Sequence, residues 1–177
     1  MSSPTRSPAH RNHSEQVQTR VAREQPSPPS PERGTEGRFS FPLRVYYEDT
    51  DAAGVVYYAN YLRYLERGRT EWLRALGIEQ SWLAQETGLV FAVRSINIEY
   101  LKPARLDDEL AVLSRQTLLG RAQITMEQRI ERGGETLVEA SVRIACLDAR
   151  KMKPAALPAH IRERLSQSQQ LMKAEAE

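Results

Sequence analysis

The 177-residue chain has one cysteine, three histidines and no long apolar run, and each shortage removes a class of function. A single thiol, Cys146, rules out an intrachain disulfide framework and a cysteine zinc site, and it fits a reducing compartment. Two histidines, His10 and His13, fall in a polar N-terminal stretch, which leaves only His160 beyond it. His160 stands in a late helical segment and reads as a solvent-exposed side chain. With no G-x-S-x-G elbow either, a serine–histidine or cysteine–histidine device lacks its parts. An enzyme of this composition would draw its base or nucleophile from the carboxylates. No stretch approaches the ~20 apolar residues of a membrane span, and the N-terminus lacks the apolar segment of a secretory signal. Together these imply a soluble, cytoplasmic protein without stable membrane insertion. Formal net charge is +2, and basic and acidic side chains balance beyond residue 40, so composition offers no nucleic-acid footprint.

What is present divides the chain into three. Residues 1–40 hold six of the ten prolines and seven serines with almost no large apolar side chains. Such a stretch cannot repay the entropy of folding, so it reads as a disordered extension. Residues 41–157 read as one domain, and 158–177 as a C-terminal helix or tail. Phe41 to Tyr47 suggests a first strand, ended by Glu48-Asp49-Thr50-Asp51 and a turn at Gly54. A helix from about Ala59 to Leu76 follows, with Tyr61, Leu65, Gly68, Trp72 and Leu76 on one stripe and Gly77 as its C-cap. Gly68 in that stripe costs roughly 1 kcal/mol relative to alanine unless a sheet crosses close against the helix. A short helix over about Glu79–Glu86 precedes strands with period two near Phe91–Leu101, Asp107–Leu119 and Ala122–Ile130. A return strand follows Gly133-Gly134 and carries Val138, Ala140, Val142, Ile144 and a buried Cys146. The fold class is α+β: an antiparallel sheet wrapped around one long central helix, its outer face solvated or meeting another subunit.

The stretch "EDTDAAGVVYYANY", Glu48 to Tyr61, concentrates the chemistry. Asp49-x-Asp51-x-x-Gly54 opens like a calcium loop, but the twelfth position is Asn60 and the fifth Ala53, so calcium is not supported and no metal is expected. Asp49 suits a turn builder. Asp51 stands seven residues before the expected helix, too far to cap it. Helix-start amides are unpaired and carry roughly half a positive charge, so those near Tyr58 and Ala59 can hold an oxygen that becomes negative.

"RVYYEDTDAAGVVYYANYLRYLERGRTEWLR", with "YLKPARLDDEL" and "KMKPAALP", closely resembles the hotdog-fold acyl-CoA thioesterases of the 4-hydroxybenzoyl-CoA thioesterase family, in its YbgC-like branch associated with Tol-Pal. The resemblance spans about Leu43 to Leu165. It implies a cytoplasmic thioester hydrolase acting on acyl-CoA without a cofactor, with Asp51 as nucleophile or general base and the backbone amides of Tyr58 and Ala59 as the oxyanion site. It also implies that Tyr47 orients Asp51 or water, packing being the other reading, and that Gly54 and Val55 lie along the substrate. Asn60 either caps the helix or touches the substrate. Arg150, Lys151 and Lys153 carry charge suited to the phosphates of coenzyme A, with solvated surface as the alternative. Many branch members have histidine where this chain has Tyr58, which bears on acyl preference. A homodimer or homotetramer is implied, with sites at the dimer interface. The competing functional class is a non-catalytic protein that binds acyl-CoA or acyl carrier protein within the Tol-Pal or lipid-synthesis machinery.

Overall fold

A computed structural model describes residues 32–33 and 37–174. In chain order the elements are β1 (Glu32–Arg33), β2 (Phe39–Arg44), a 3₁₀ turn (Tyr47–Asp49), α1 (Asn60–Ala75), α2 (Gln80–Thr87) and β3 (Leu89–Tyr100). β4 (Glu109–Leu119), β5 (Gln123–Arg132), β6 (Glu135–Asp148), β7 (Lys153–Pro154) and α3 (Ala159–Ala174) complete it. Among the described residues all pairings are antiparallel, in the order β1-β2-β4-β5-β6-β3, with β7 added to β6.

Period-two alternation places Ile124, Met126 and Ile130 of β5, and Val138, Val142 and Ile144 of β6, on the buried face. The intervening polar residues of the outer face pair with one another, as Arg129 does with Glu139 at 3.0 Å and Arg115 with Glu127 at 2.7 Å. Helix α1 lays Tyr61, Tyr64, Leu65, Trp72 and Leu73 on the inner face, each such burial contributing roughly 1.5–3 kcal/mol. Gly68 allows the closest approach: a Cβ there would stand 2.6 Å from Val112 Cγ1. Cys146 is buried, and burial pushes its thiol above the usual range.

Two boundaries differ from the sequence expectation. The first strand ends at Arg44, because the Asp49 carboxylate takes the Tyr46 N–H and folds Tyr47–Asp49 into a turn. That strand starts at Phe39 rather than 41, and Glu32–Arg33 pairs with Ser40 and Phe39. Part of the expected N-terminal extension is therefore sheet; residues 1–31 and 34–36, on which the rest of that expectation falls, lie outside the described residues. At the other end α3 docks. Ile161 and Leu165 are buried, Arg162 donates to the Gly120 carbonyl at 2.8 Å, and Arg164 donates to the carbonyls of Leu76 and Gly77.

Candidate active site

The loop between the 3₁₀ turn and α1 is closed by its own backbone. The buried Asp49 presents its carbonyl to both the Tyr57 N–H and the Asn60 side-chain amide, each at 2.9 Å. Within the loop, Asp51 N–H donates to Val55 O at 3.0 Å and Gly54 N–H to Asp51 O at 2.9 Å, while Val56 N–H reaches Ala104 O at 2.9 Å. Gly54 sits at φ +72°, a left-handed conformation in which a side chain would be strained. Asp51 projects from this frame as an exposed carboxylate. Its Oδ1 accepts the Ala53 N–H at 2.8 Å, and among the described residues no other hydrogen-bond donor engages the carboxylate.

Seven residues on, the chain enters α1 through a turn in which Asn60 N–H donates to Tyr57 O at 2.8 Å. The two amides inside that turn, Tyr58 N–H and Ala59 N–H, have no acceptor among the described residues. No acidic residue occupies the first turn of α1, so nothing on the helix itself neutralises its positive end. Three tyrosines surround the junction. Tyr58 packs on Tyr57 with ring centroids 4.7 Å apart and meets Tyr100 edge-on at 6.3 Å, and the Tyr100 hydroxyl donates to the Tyr58 carbonyl at 3.2 Å. The neighbouring Tyr58 hydroxyl holds the Tyr57 phenol above its usual range, and the charge of Asp51 adds to the effect.

Asp51, Gly54, Val55, Tyr58, Ala59 and Asn60 thus share one loop-to-helix junction, while the basic cluster stands apart from it. Asn60 does not cap the helix: Ala59 occupies that position, and the Asn60 amide is buried against Asp49. Tyr47 is 82% exposed and makes no hydrogen bond to Asp51. Arg150, Lys151 and Lys153 follow β6, at the end where Asp148 pairs with Leu89, whereas Tyr100 pairs with Val138 at the opposite end of β3. With a rise of about 3.3 Å per residue, this puts the basic cluster on the order of 30 Å from Tyr100 within one chain. Its turn is built by Asp148, whose carboxylate accepts the N–H of Lys151 at 2.8 Å and of Arg150 at 3.0 Å. Near that same end of β3, a cavity of about 90 Å³ lies between α1, α2 and the sheet. Trp72, Leu73, Phe91 and Val93 line it, with Glu66 and Arg69 among its polar residues. Among the described residues, no three His, Cys, Asp or Glu side chains gather as metal ligands would. Sequence reasoning missed Tyr57 and Tyr100; Tyr100 reaches the junction from the end of β3 and packs on Tyr61 of α1, contacts that no local pattern contains.

The family model of the thioesterase-like superfamily matches residues 45–165, which take in the Asp51 loop, α1 and every strand from β3 to β7. The chain belongs to the thioesterase-like superfamily. Among its relatives, the acyl-CoA thioesterase YbgC of Haemophilus influenzae is 48% identical over 124 residues, covering 70% of this chain and 91% of that protein. The acyl-CoA thioester hydrolase YbgC of Escherichia coli is 47% identical over the same length, covering 70% and 92%. A solved structure, a probable thioesterase from Bartonella henselae, superposes with a TM-score of 0.66 at 41% identity, over 68% of this chain and 99% of that one. The expected hotdog fold, a curled antiparallel sheet with helices, is the fold of this superfamily member.

Proposed function

We propose that this member of the superfamily is an acyl-CoA thioester hydrolase working at the Asp51 junction. The observation that carries the reading is the pair of amides, Tyr58 N–H and Ala59 N–H, that have no acceptor among the described residues at the positive end of α1, on the segment that also bears the exposed Asp51 carboxylate. Asp51 attacks the thioester carbonyl carbon, giving an acyl-aspartyl anhydride that water then hydrolyses to the free acid and the restored carboxylate, or it takes a proton from the water that attacks in its place. The carbonyl oxygen gains the negative charge, the two amides hold it, and collapse of the tetrahedral adduct expels the coenzyme A thiolate. A loop cross-bonded at Asp49, Val55 and Asn60 keeps carboxylate and amides in a fixed relation, so little reorganisation is needed as charge develops. The names of the YbgC relatives, acyl-CoA thioesterase and thioester hydrolase, support the same substrate class, which is made and used in the cytoplasm.

The working unit in this reading is at least a homodimer. β3 pairs with β6 along one edge, and its other edge has no partner strand among the described residues. Antiparallel pairing of that edge with its counterpart brings the basic cluster of one chain toward the Asp51 junction of the other. Arg150, Lys151 and Lys153 can then hold the phosphates of a coenzyme A whose thioester sits at the partner's amides. The test is Asp51→Asn, close in shape and unable to act as base or nucleophile. Release of free thiol from acyl-CoA, followed with DTNB, should fall by at least ~10²-fold with an unchanged melting temperature; retained turnover overturns the reading.

A further inference from the structure

The Tyr58 carbonyl is left out of the helix it introduces. Asn60 N–H goes to Tyr57 O and Leu62 N–H to Ala59 O, so neither of these first-turn bonds fixes the peptide between Tyr58 and Ala59. Its oxygen is held instead from across the fold, by the Tyr100 hydroxyl at the last residue of β3. A trans peptide is planar, with C=O and N–H pointing in opposite directions, so a donor that fixes the Tyr58 oxygen also fixes the direction of the Ala59 N–H. A bond accepted by the carbonyl also polarises the amide on the other side of the same unit, which strengthens it as a donor.

We propose that Tyr100 is a positioning residue for the reaction: its hydroxyl, through the Tyr58 carbonyl, aims and polarises the Ala59 N–H that receives the developing oxyanion. The inference rests on the assignment of that amide made under the proposed function. Tyr100 is itself well fixed. Its backbone pairs with Val138, and its ring packs on Tyr61 at 5.7 Å and edge-on to Tyr58. Tyr61 is immobilised in turn by the Ala104 N–H, which donates to its hydroxyl at 2.9 Å. Burial and, after it, the neighbouring Tyr58 keep the Tyr100 phenol above its usual range, so it remains a protonated donor through neutral pH.

The experiment is Tyr100→Phe in the full chain, which keeps the ring contacts and removes only the donor. We expect kcat to fall on the order of tenfold, short of the roughly 10²–10³ seen when an oxyanion donor itself is lost, with KM unchanged. Binding of a non-hydrolysable thioether analogue of acyl-CoA should not change. Binding of a trifluoromethyl ketone analogue, which becomes tetrahedral in the site, should weaken by the factor lost from kcat. Placing p-aminophenylalanine at 100, which restores a donor, should recover most of the rate. A kcat within twofold of the parent, or equal loss of affinity for both analogues, overturns the inference. If Asp51→Asn abolishes turnover while Tyr100→Phe does not impair it, only the role of Tyr100 fails; if Asp51→Asn remains active, the assignment beneath it fails.

Discussion

Arg69 and Gln128 meet between α1 and the sheet, the guanidinium donating to the amide oxygen at 2.9 Å, and both side chains are buried. The Gln128 amide nitrogen donates onward to Ser114 Oγ at 2.9 Å and to the Leu65 carbonyl at 3.0 Å. Among the described residues no carboxylate lies within ion-pair distance of Arg69, and burial lowers its pKa against the opposing influence of Glu66. Gln128→Leu therefore strands a buried cation and a buried hydroxyl, and we expect a loss of about 3 kcal/mol in urea unfolding. Arg69→Met combined with Gln128→Leu should recover the part due to the stranded cation, with a coupling on the order of 1–3 kcal/mol. Additive losses would mean that the two side chains act independently.

Gly68 and Val112 give a steric prediction of different size in two backgrounds. Gly68→Ala should destabilise by about 1–3 kcal/mol, because the new methyl overlaps Val112 Cγ1 in a packed layer. In a Val112→Ala background the Cγ1 overlap is gone and only the contact with Cβ at 3.1 Å remains, so the same change should cost less than in the parent, by about 1 kcal/mol or more. Equilibrium unfolding of the four proteins in the cycle reads both effects.

Asp108 contributes to the acid limb of stability. Burial alone would raise its pKa, but the Arg105 N–H at 2.8 Å and the Arg132 guanidinium at 2.7 Å outweigh it and hold the carboxyl below its usual range. A carboxyl with a depressed folded pKa stabilises fully above its unfolded value of about 3.9, and that stabilisation is lost as pH falls through the folded value. Asp108→Asn should lower stability by a constant amount between about pH 6 and 7, and the difference from the parent should close as pH drops below about 4. Denaturant titrations across that range check it.

Lys151→Glu with Lys153→Glu tests the basic cluster. KM for acyl-CoA should rise several-fold with kcat retained, and the effect should shrink as salt is added. Thioesters of N-acetylcysteamine, which lack the nucleotide phosphates, should be hydrolysed equally by both proteins. An equal KM defect on both substrates would show that the cluster acts by some route other than phosphate binding.

The fold was legible where periodicity carried it. Period two gave β5 and β6, and the stripe through Leu65, Gly68 and Trp72 gave both α1 and its close crossing with the sheet. Gln128 interrupts an otherwise apolar row, and its reason is a partner 59 positions away in sequence, which no local pattern contains. The early end of the first strand was hidden for a different cause. Tyr46 and Tyr47 have strand propensity, and the buried Asp49 overrides it by accepting a single backbone bond from Tyr46. At the junction itself, local sequence placed Asp51 and the amides together. Tyr100 comes from a strand end 42 residues beyond Tyr58, and only the folded chain brings it there.

The two hydrogen bonds accepted by the Asp49 carbonyl have a consequence for how this segment can vary. Tyr57 N–H and the Asn60 amide are both tied to that one oxygen, so the residues between form a ring of fixed circumference. One inserted or deleted residue between Thr50 and Val56 would shift the Asp51 carboxylate relative to the start of α1 or break the ring. The Gly133-Gly134 turn is exposed, and the strand ends that it joins are held by the Arg132–Glu135 pair at 3.0 Å. Natural variants of this protein should therefore keep the count from Asp49 to Asn60 constant.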